Sequence, residues 1–446
     1  MRWLAEMTPP ASDLMEGKWP CQGLFSADGG GCQKVDQPLG SEPQGGTFAA
    51  LKHPNFRLMW LGNLISNSGD WLDQVALNWL VISTTGSPIY LGLVNLARGM
   101  PNAVLALVAG VVADKFDRRK MMMVTQTLAM IFAVALFALV FSGNDSILAI
   151  LLLATARGVV IAFNINARHS LISELVPTRD LASAIALNSI ALNISKILGP
   201  LAAAGIIAGF GTATCFLVNA VSFTFVLAML CLVKLPPKPI WEARREKFFT
   251  TLLGGITYLR QNDMLLLLVL VALVPTFFAQ PYIQLLALFA HDMFHVGSAG
   301  LGIMVSVAAG GAIAGGLLSA WLQRDARRGD IMLLFMAGFG AFLLMFSLAP
   351  NIYVALPMLF CTGAMHIAYN SSNNTILQIS VDDNYRGRVL STLFMTRGLV
   401  SLGTAAIATV AAFLGPRTAM TLTTSVVIAF AIVLWVKAPR LRNLRV

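Results

Sequence analysis

Charge is scarce in this chain. Only 12% of its 446 residues are Asp, Glu, Lys or Arg, against about a quarter in an ordinary soluble domain. With 57% of residues hydrophobic, a soluble protein of two or three domains is excluded, because its surface could not be solvated. Cysteine is sparse and scattered. Cys21, Cys32, Cys215, Cys231 and Cys361 form no CxxC pair and no cluster with histidine, so neither a disulfide framework nor a metal site is expected. No nucleophile–base pair and no phosphate loop appears, so an enzyme is the least favoured class and no cofactor is expected. The first 20 residues lack an apolar core and hold Glu6, Asp13 and Glu16, which argues against a cleaved signal peptide.

What the chain does have is apolar runs long enough to cross a bilayer, which takes about 20 residues. They fall at 58–82, 88–112, 120–141, 146–168, 181–207 and 212–233, then at 264–290, 297–321, 331–348, 352–377, 388–412 and 418–436. This predicts an all-α membrane protein of twelve spans. Residues 1–50 are polar, rich in Gly and Pro and without periodicity, and read as a disordered tail. Residues 51–233 and 263–437 form two six-helix bundles. Between them, 234–262 reads as a linker ending in an amphipathic stretch, and 438–446 as a tail.

The formal charge of +10 points to topology, not to nucleic acid, because the basic residues cluster between apolar runs. Of the 31 Lys and Arg, 23 fall on one side of the bilayer and one, Arg417, on the other, with three in the N-terminal tail and four inside spans. The asymmetry puts both termini and the central linker in the cytoplasm of a cell whose inner membrane holds the protein. The chain also repeats itself. Gly86-Ser87 matches Gly297-Ser298, Asp117-Arg118-Arg119-Lys120 matches Ala326-Arg327-Arg328-Gly329, and Phe163-Asn164 matches Tyr369-Asn370, at offsets of 211, 209 and 206 residues. A six-plus-six duplication implies a substrate site near the midplane between the halves.

The segment Gly110-Val-Val-Ala-Asp114-Lys115-Phe-Asp117-Arg118-Arg119-Lys120 resembles the signature of the major facilitator superfamily between spans 2 and 3, with Asp117 where the common pattern has glycine. Ser68-Gly69-Asp70-Trp71-Leu72, Leu171-Ile-Ser-Glu174-Leu-Val-Pro177 and Arg386-Gly387-Arg388-Val389 look like its secretion-effector branch, which includes enterobactin exporters and macrolide efflux proteins. The resemblance covers about residues 50–440. It implies efflux of a small drug-like or siderophore-like molecule by alternating access, driven by protons. Span 5 carries Ser195-Lys-Ile-Leu-Gly199-Pro200, similar to the antiporter signature but without its flanking glycines. The resemblance also implies that Asp114 closes a cytoplasmic gate against the start of span 11, with Arg388 as partner and Gly110, Arg118, Arg119 and Glu174 around it. The plainer alternative is a solvated turn with topogenic charges.

Six ionisable residues fall inside spans: Asp70, Asp73, Arg98, Arg157, Lys196 and Arg397. Each unpartnered charge at mid-bilayer costs about 2.5–3.5 kcal/mol, so they are expected to face water or one another. Asp70, Asp73 and Arg98 lie at similar depth on spans 1 and 2. An ion pair there would leave one carboxylate as proton carrier, or Asp70 would lock the two spans together through Arg98. His366 is a further coupling candidate, because histidine titrates near neutrality. Its alternative is a plain hydrogen-bonding role. Polar stripes mark a cavity: Asn63, Asn67, Asp70, Gln74 and Asn78 on one face of span 1, His366, Asn370, Asn374 and Gln378 on span 10, and Gln280 and Gln284 on span 7, which Pro275 and Pro281 should kink. Asn164 on span 4 joins them. Interhelical hydrogen bonding is the rival account. Four cations against two carboxylates make the interior positive, which favours an anionic or phenolic substrate. The rivals in function are an uptake permease or lysolipid flippase of the same fold, and a sensor or scaffold that no longer transports. A monomer is expected, with protons, a small molecule and the bilayer as its partners.

Overall fold

The computed structural model describes residues 46, 48–144, 146–233, 262–322, 328–381 and 383–442. Among them are twelve long helices: α1 Pro54–Thr85, α2 Pro88–Lys115, α3 Arg118–Phe141, α4 Ile147–Leu175, α5 Leu181–Phe210, α6 Thr212–Leu232, α7 Asp263–Phe278 resuming as Tyr282–Leu288, α8 Gly297–Leu322, α9 Arg328–Leu348, α10 Ile352–Ser380, α11 Asp383–Leu414 and α12 Pro416–Lys437. Nine stretches among the described residues are long and apolar enough to cross a membrane. α1 is not one of them, because its 32 residues carry two aspartates and several amides. It turns most of these groups into the bundle, so its outer face alone needs to suit lipid.

The helix ends follow from local chemistry. Pro54 and Pro88 open α1 and α2, where a missing N–H costs nothing. Asp117 caps α3 by accepting from the Lys120 N–H at 3.0 Å, which gives the departure from glycine at this position a physical role. Asn262 and Asn351 cap α7 and α10 in the same way. The kink expected in span 7 is a break. The Ala279 and Gln280 N–H groups both donate to Pro275 O at 2.9 Å, and Pro281 has no N–H with which to continue the ladder.

The duplication is visible in both turns and packing. Gly86 precedes α2 and Gly297 opens α8, with φ of 60° and 66°. Gly211 and Gly415 precede α6 and α12, each with φ of 82°. These left-handed conformations favour glycine. α2 packs on α4 as α8 does on α10, and α3 on α6 as α9 does on α12. The halves meet along α2–α11 and α5–α8. Gly302 lies against the Pro200 carbonyl and Ala204, and Ser306 Oγ donates to Ile197 O at 3.0 Å. The Gly199-Pro200 motif therefore sits where the halves touch.

The described residues begin just inside the expected tail, at Gly46. Ala49–Lys52 forms a 3-10 turn with Ala49 and Ala50 buried, and the Ala50 N–H donates to Ser183 Oγ at 3.2 Å. The rest of the tail, residues 1–45, and the linker with its amphipathic stretch, 234–261, lie outside the described residues. At the C-terminus, Pro439–Arg442 forms a short helix whose Leu441 is buried.

Candidate functional site: a charged cavity among the first six helices

The site is organised by four charges on three helices. Asp70 and Asp73 are three residues apart on α1 and so share a face. α4 comes close to α2 because Gly158 lies against the Arg98 carbonyl, where a side chain would collide. This brings Arg157 alongside Arg98. Asp73 Oδ2 accepts from Arg98 Nη1 at 2.8 Å and Asp73 Oδ1 from Arg157 Nη1 at 2.6 Å, while Asp70 Oδ1 accepts from Arg157 Nη2 at 2.8 Å. Two carboxylates thus balance two guanidiniums, so the large cost of burying either sign alone is offset. With its amide oriented to donate to Gly69 O and Ser222 Oγ, Asn219 also accepts from Arg157 Nη2 at 2.7 Å. The Phe223 ring lies 5.7 Å from the Arg157 guanidinium carbon. The two aspartates differ in access. The side chain of Asp73 is 1% exposed and that of Asp70 33%.

Asp70 opens onto a cavity of about 530 Å³. Its described walls come from α1 through α6, with Gln284 the contribution of α7. Asn67, Gln74, Arg98, Arg157, Asn164 and Lys196 line it. Arg168, Gln126, Asn188 and Trp71 line it too, and the sequence pattern does not single them out. Hydropathy puts Arg168 at the end of span 4, yet α4 continues to Leu175. At 1.5 Å per residue this sets Arg168 about 10 Å inside the helix end. It donates to Asn67 Oδ1 and, at 2.8 Å, to Asn164 Oδ1, and Asn164 donates to Thr125 Oγ1 at 3.0 Å.

Other expectations are redirected. Arg98 pairs with Asp73 and not with Asp70, so Asp70 does not lock α1 to α2 through Arg98. Asn78 joins a helix-bridging amide group instead of the cavity wall. Asn78 Oδ1 accepts from Gln74 Nε2 at 3.3 Å and Asn95 Nδ2 at 3.0 Å, and Asn95 Oδ1 accepts from Gln74 Nε2 at 3.0 Å. Asn63 is buried, and its Oδ1 has no partner among the described residues. The stripe on α10 divides. His366 is stacked on Phe339 at 4.8 Å with Tyr282 edge-on at 6.5 Å, a ring environment and not a polar channel. Asn374 donates to Asn370 at 2.7 Å along the same helix, and Gln280 sits in the α7 break. Arg397 is on α11, with its side chain outside the described residues.

At the end of the bundle rich in Lys and Arg, Arg118 pairs with Glu174, and Arg119 Nη2 donates to Cys231 O at 3.0 Å. These contacts join the start of α3 to the ends of α4 and α6. Space around Gly110 is open. The side chains of Asp114 and Arg388 lie outside the described residues. At the opposite end the halves touch through Trp79 of α1 and His291 beyond α7, with ring centroids 5.8 Å apart.

A twelve-helix bundle built from two alike halves, with an ion-paired cavity in its interior, defines a membrane transporter of the major facilitator fold. The nucleoside transporter NupG superposes with a TM-score of 0.69 over 85% of this chain and 98% of its own, at 13% identity. A bacterial homologue of the lysosomal transporter Spinster, in an inward-facing, unoccupied conformation, gives 0.69 over 87% and 98%, at 16% identity. At such identities the likeness is one of fold. The chain belongs to the transmembrane secretion effector family, whose sequence model matches residues 45–445. It is similar to the staphyloferrin A transporter of Staphylococcus aureus, 27% identical over 349 residues that make up 75% of this chain and 84% of that protein. It is also similar to the enterobactin exporter EntS of Escherichia coli, 26% identical over 338 residues, 76% and 80% of the two chains.

Proposed function

We propose that the chain is a proton-coupled exporter of a small, siderophore-like organic molecule. The observation that carries this reading is the unequal access of two paired aspartates. Asp73 is sealed between two guanidiniums, whereas Asp70 holds one of them and faces the cavity. A proton reaching the cavity meets Asp70 first. Neutralising it takes the ion quartet from balanced to singly positive and frees one arm of Arg157, which changes how α1 and α4 are held together. An ion pair that protonation breaks is a physical means of linking proton binding to helix movement. The names of the two relatives, a siderophore transporter and a siderophore exporter, support the cargo class.

Both termini are taken to be cytoplasmic, as the clustering of basic residues favours. The Arg118–Glu174 pair, with Asp114, Gly110, Arg119 and Arg388, is then the cytoplasmic gate, and the Trp79–His291 contact closes the outer side. The test is flux in inverted vesicles. An inward-acid pH gradient should drive accumulation of a siderophore such as enterobactin or staphyloferrin A, and collapsing the gradient should abolish it. Accumulation in right-side-out vesicles alone would identify an uptake permease. Absence of flux for a panel of siderophores and drugs in both orientations would contradict transport of this class.

A further inference from the structure

The charges in the cavity do not all cancel. Arg98 and Arg157 are matched by Asp70 and Asp73. Arg168 and Lys196 line the same cavity, and neither has a carboxylate at ion-pair distance among the described residues. Arg168 is 9% exposed and directs its described hydrogen bonds to neutral amides. A second set of observations points the same way. Three residues that line the cavity, Arg168, Asn67 and Gln126, each hold a buried donor, Nε, Nδ2 and Nε2 in turn, with no partner among the described residues. Their residues are 9%, 6% and 1% exposed. Buried polar groups are ordinarily satisfied, and leaving a donor unmet is costly. Unmet donors beside two uncompensated cations are matched by a ligand rich in anionic oxygens.

We infer that Arg168 and Lys196, with Asn67 and Gln126, form an oxyanion subsite, and that the transported molecule carries carboxylate or catecholate oxygens that bind there. The subsite is distinct from the ion quartet, because Arg157 is already committed to carboxylates. This division assigns cargo recognition to side chains of α1, α3, α4 and α5 and proton exchange to Asp70. It rests on the reading of this cavity as the transport site.

The test is equilibrium binding to the purified full-length protein in detergent, by calorimetry and thermal shift. The probes are trimesate, an aromatic tricarboxylate, and trimesamide, its neutral triamide of the same outline. Trimesate should bind and trimesamide should not. Lys196→Gln and Arg168→Gln should each weaken trimesate about tenfold, the scale of one lost charge-assisted hydrogen bond. Lys196→Arg should stay near wild type, and Lys120→Gln, on the outer surface, should change nothing. If Arg168→Gln does not fold, Lys196→Gln decides alone, since no described hydrogen bond depends on it. Equal binding of the two probes, wild-type affinity in Lys196→Gln, or no trimesate binding at millimolar concentration would each overturn the subsite. The assay uses no gradient, so binding without flux would count against proton-coupled export and leave the subsite standing.

Discussion

The two halves solve the same packing problem by different means. α2 and α4 in the first half correspond to α8 and α10 in the second. In the first half, the pair is tied by Arg98 and Arg157 to Asp73 of α1. In the second, it is tied by backbone approach: Gly311 lies on the Phe360 carbonyl, Gly315 on that of Ala364, and Gly363 on that of Ala308. Rings fill the adjacent space, with Phe339 against His366, Tyr369 and Tyr282, and the Tyr369 hydroxyl donates to Val271 O at 3.0 Å. Lipid is as apolar as leucine, so helices in a membrane are held by polar contacts or by close packing. The first half adds polar contacts to one such approach, Gly158 on the Arg98 carbonyl, and the second relies mainly on close packing. A charge network can respond to a proton. The contacts of glycine with backbone carbonyls carry no group that a proton could discharge, and they suit a half that moves as a rigid body.

The comparison can be broken at several points. Arg157→Ala strips a guanidinium from two carboxylates and leaves Asp73 buried with Arg98 alone. It should cost about 3–5 kcal/mol, the scale for breaking a buried ion pair, read as early melting in detergent. Arg157→Lys should recover only part, because lysine cannot bridge both carboxylates. A melting temperature unchanged in Arg157→Ala would show that the first half is not held by charge. Gly315→Leu should cost about 1–3 kcal/mol by overpacking α8 against α10, with no dependence on pH between 5 and 8, because the contact it forces is with the Ala364 backbone. A strongly pH-dependent destabilisation would contradict the mechanical account of the second half. Asn95→Ala should be the mildest, about 0.6 kcal/mol for an interhelical amide contact, and it should leave gradient-driven transport intact.

Much of this was legible in the sequence, for physical reasons that also mark its limits. A charge in an apolar run is conspicuous, so Asp70, Asp73, Arg98, Arg157 and Lys196 stand out. Which carboxylate Arg98 would take was not legible. Asp70 and Asp73 differ by less than one turn, and only the rotation of α1 against α2 and α4 separates them. Arg168 was hidden because hydropathy marks where a helix leaves hydrocarbon, not where it ends, and α4 runs on to Leu175. The stripe on α10 misleads for a different reason. A period of three or four shows that His366 and Asn370 share a face, but not that Phe339 of α9 covers part of it. A lone asparagine such as Asn95 carries no periodic signal at all. The internal repeat was legible from turn residues, because a positive φ narrows the choice at Gly86, Gly297, Gly211 and Gly415.

The central claim is that proton coupling resides at Asp70 in the first half and not at His366 in the second. It is tested most directly by comparing Asp70→Asn and His366→Gln in proteoliposomes, with gradient-driven accumulation and gradient-free substrate exchange measured on the same preparation. Asp70→Asn should lose accumulation and keep exchange, and His366→Gln should keep both. Undiminished gradient-driven accumulation in Asp70→Asn, or its loss in His366→Gln with exchange intact, would contradict the account.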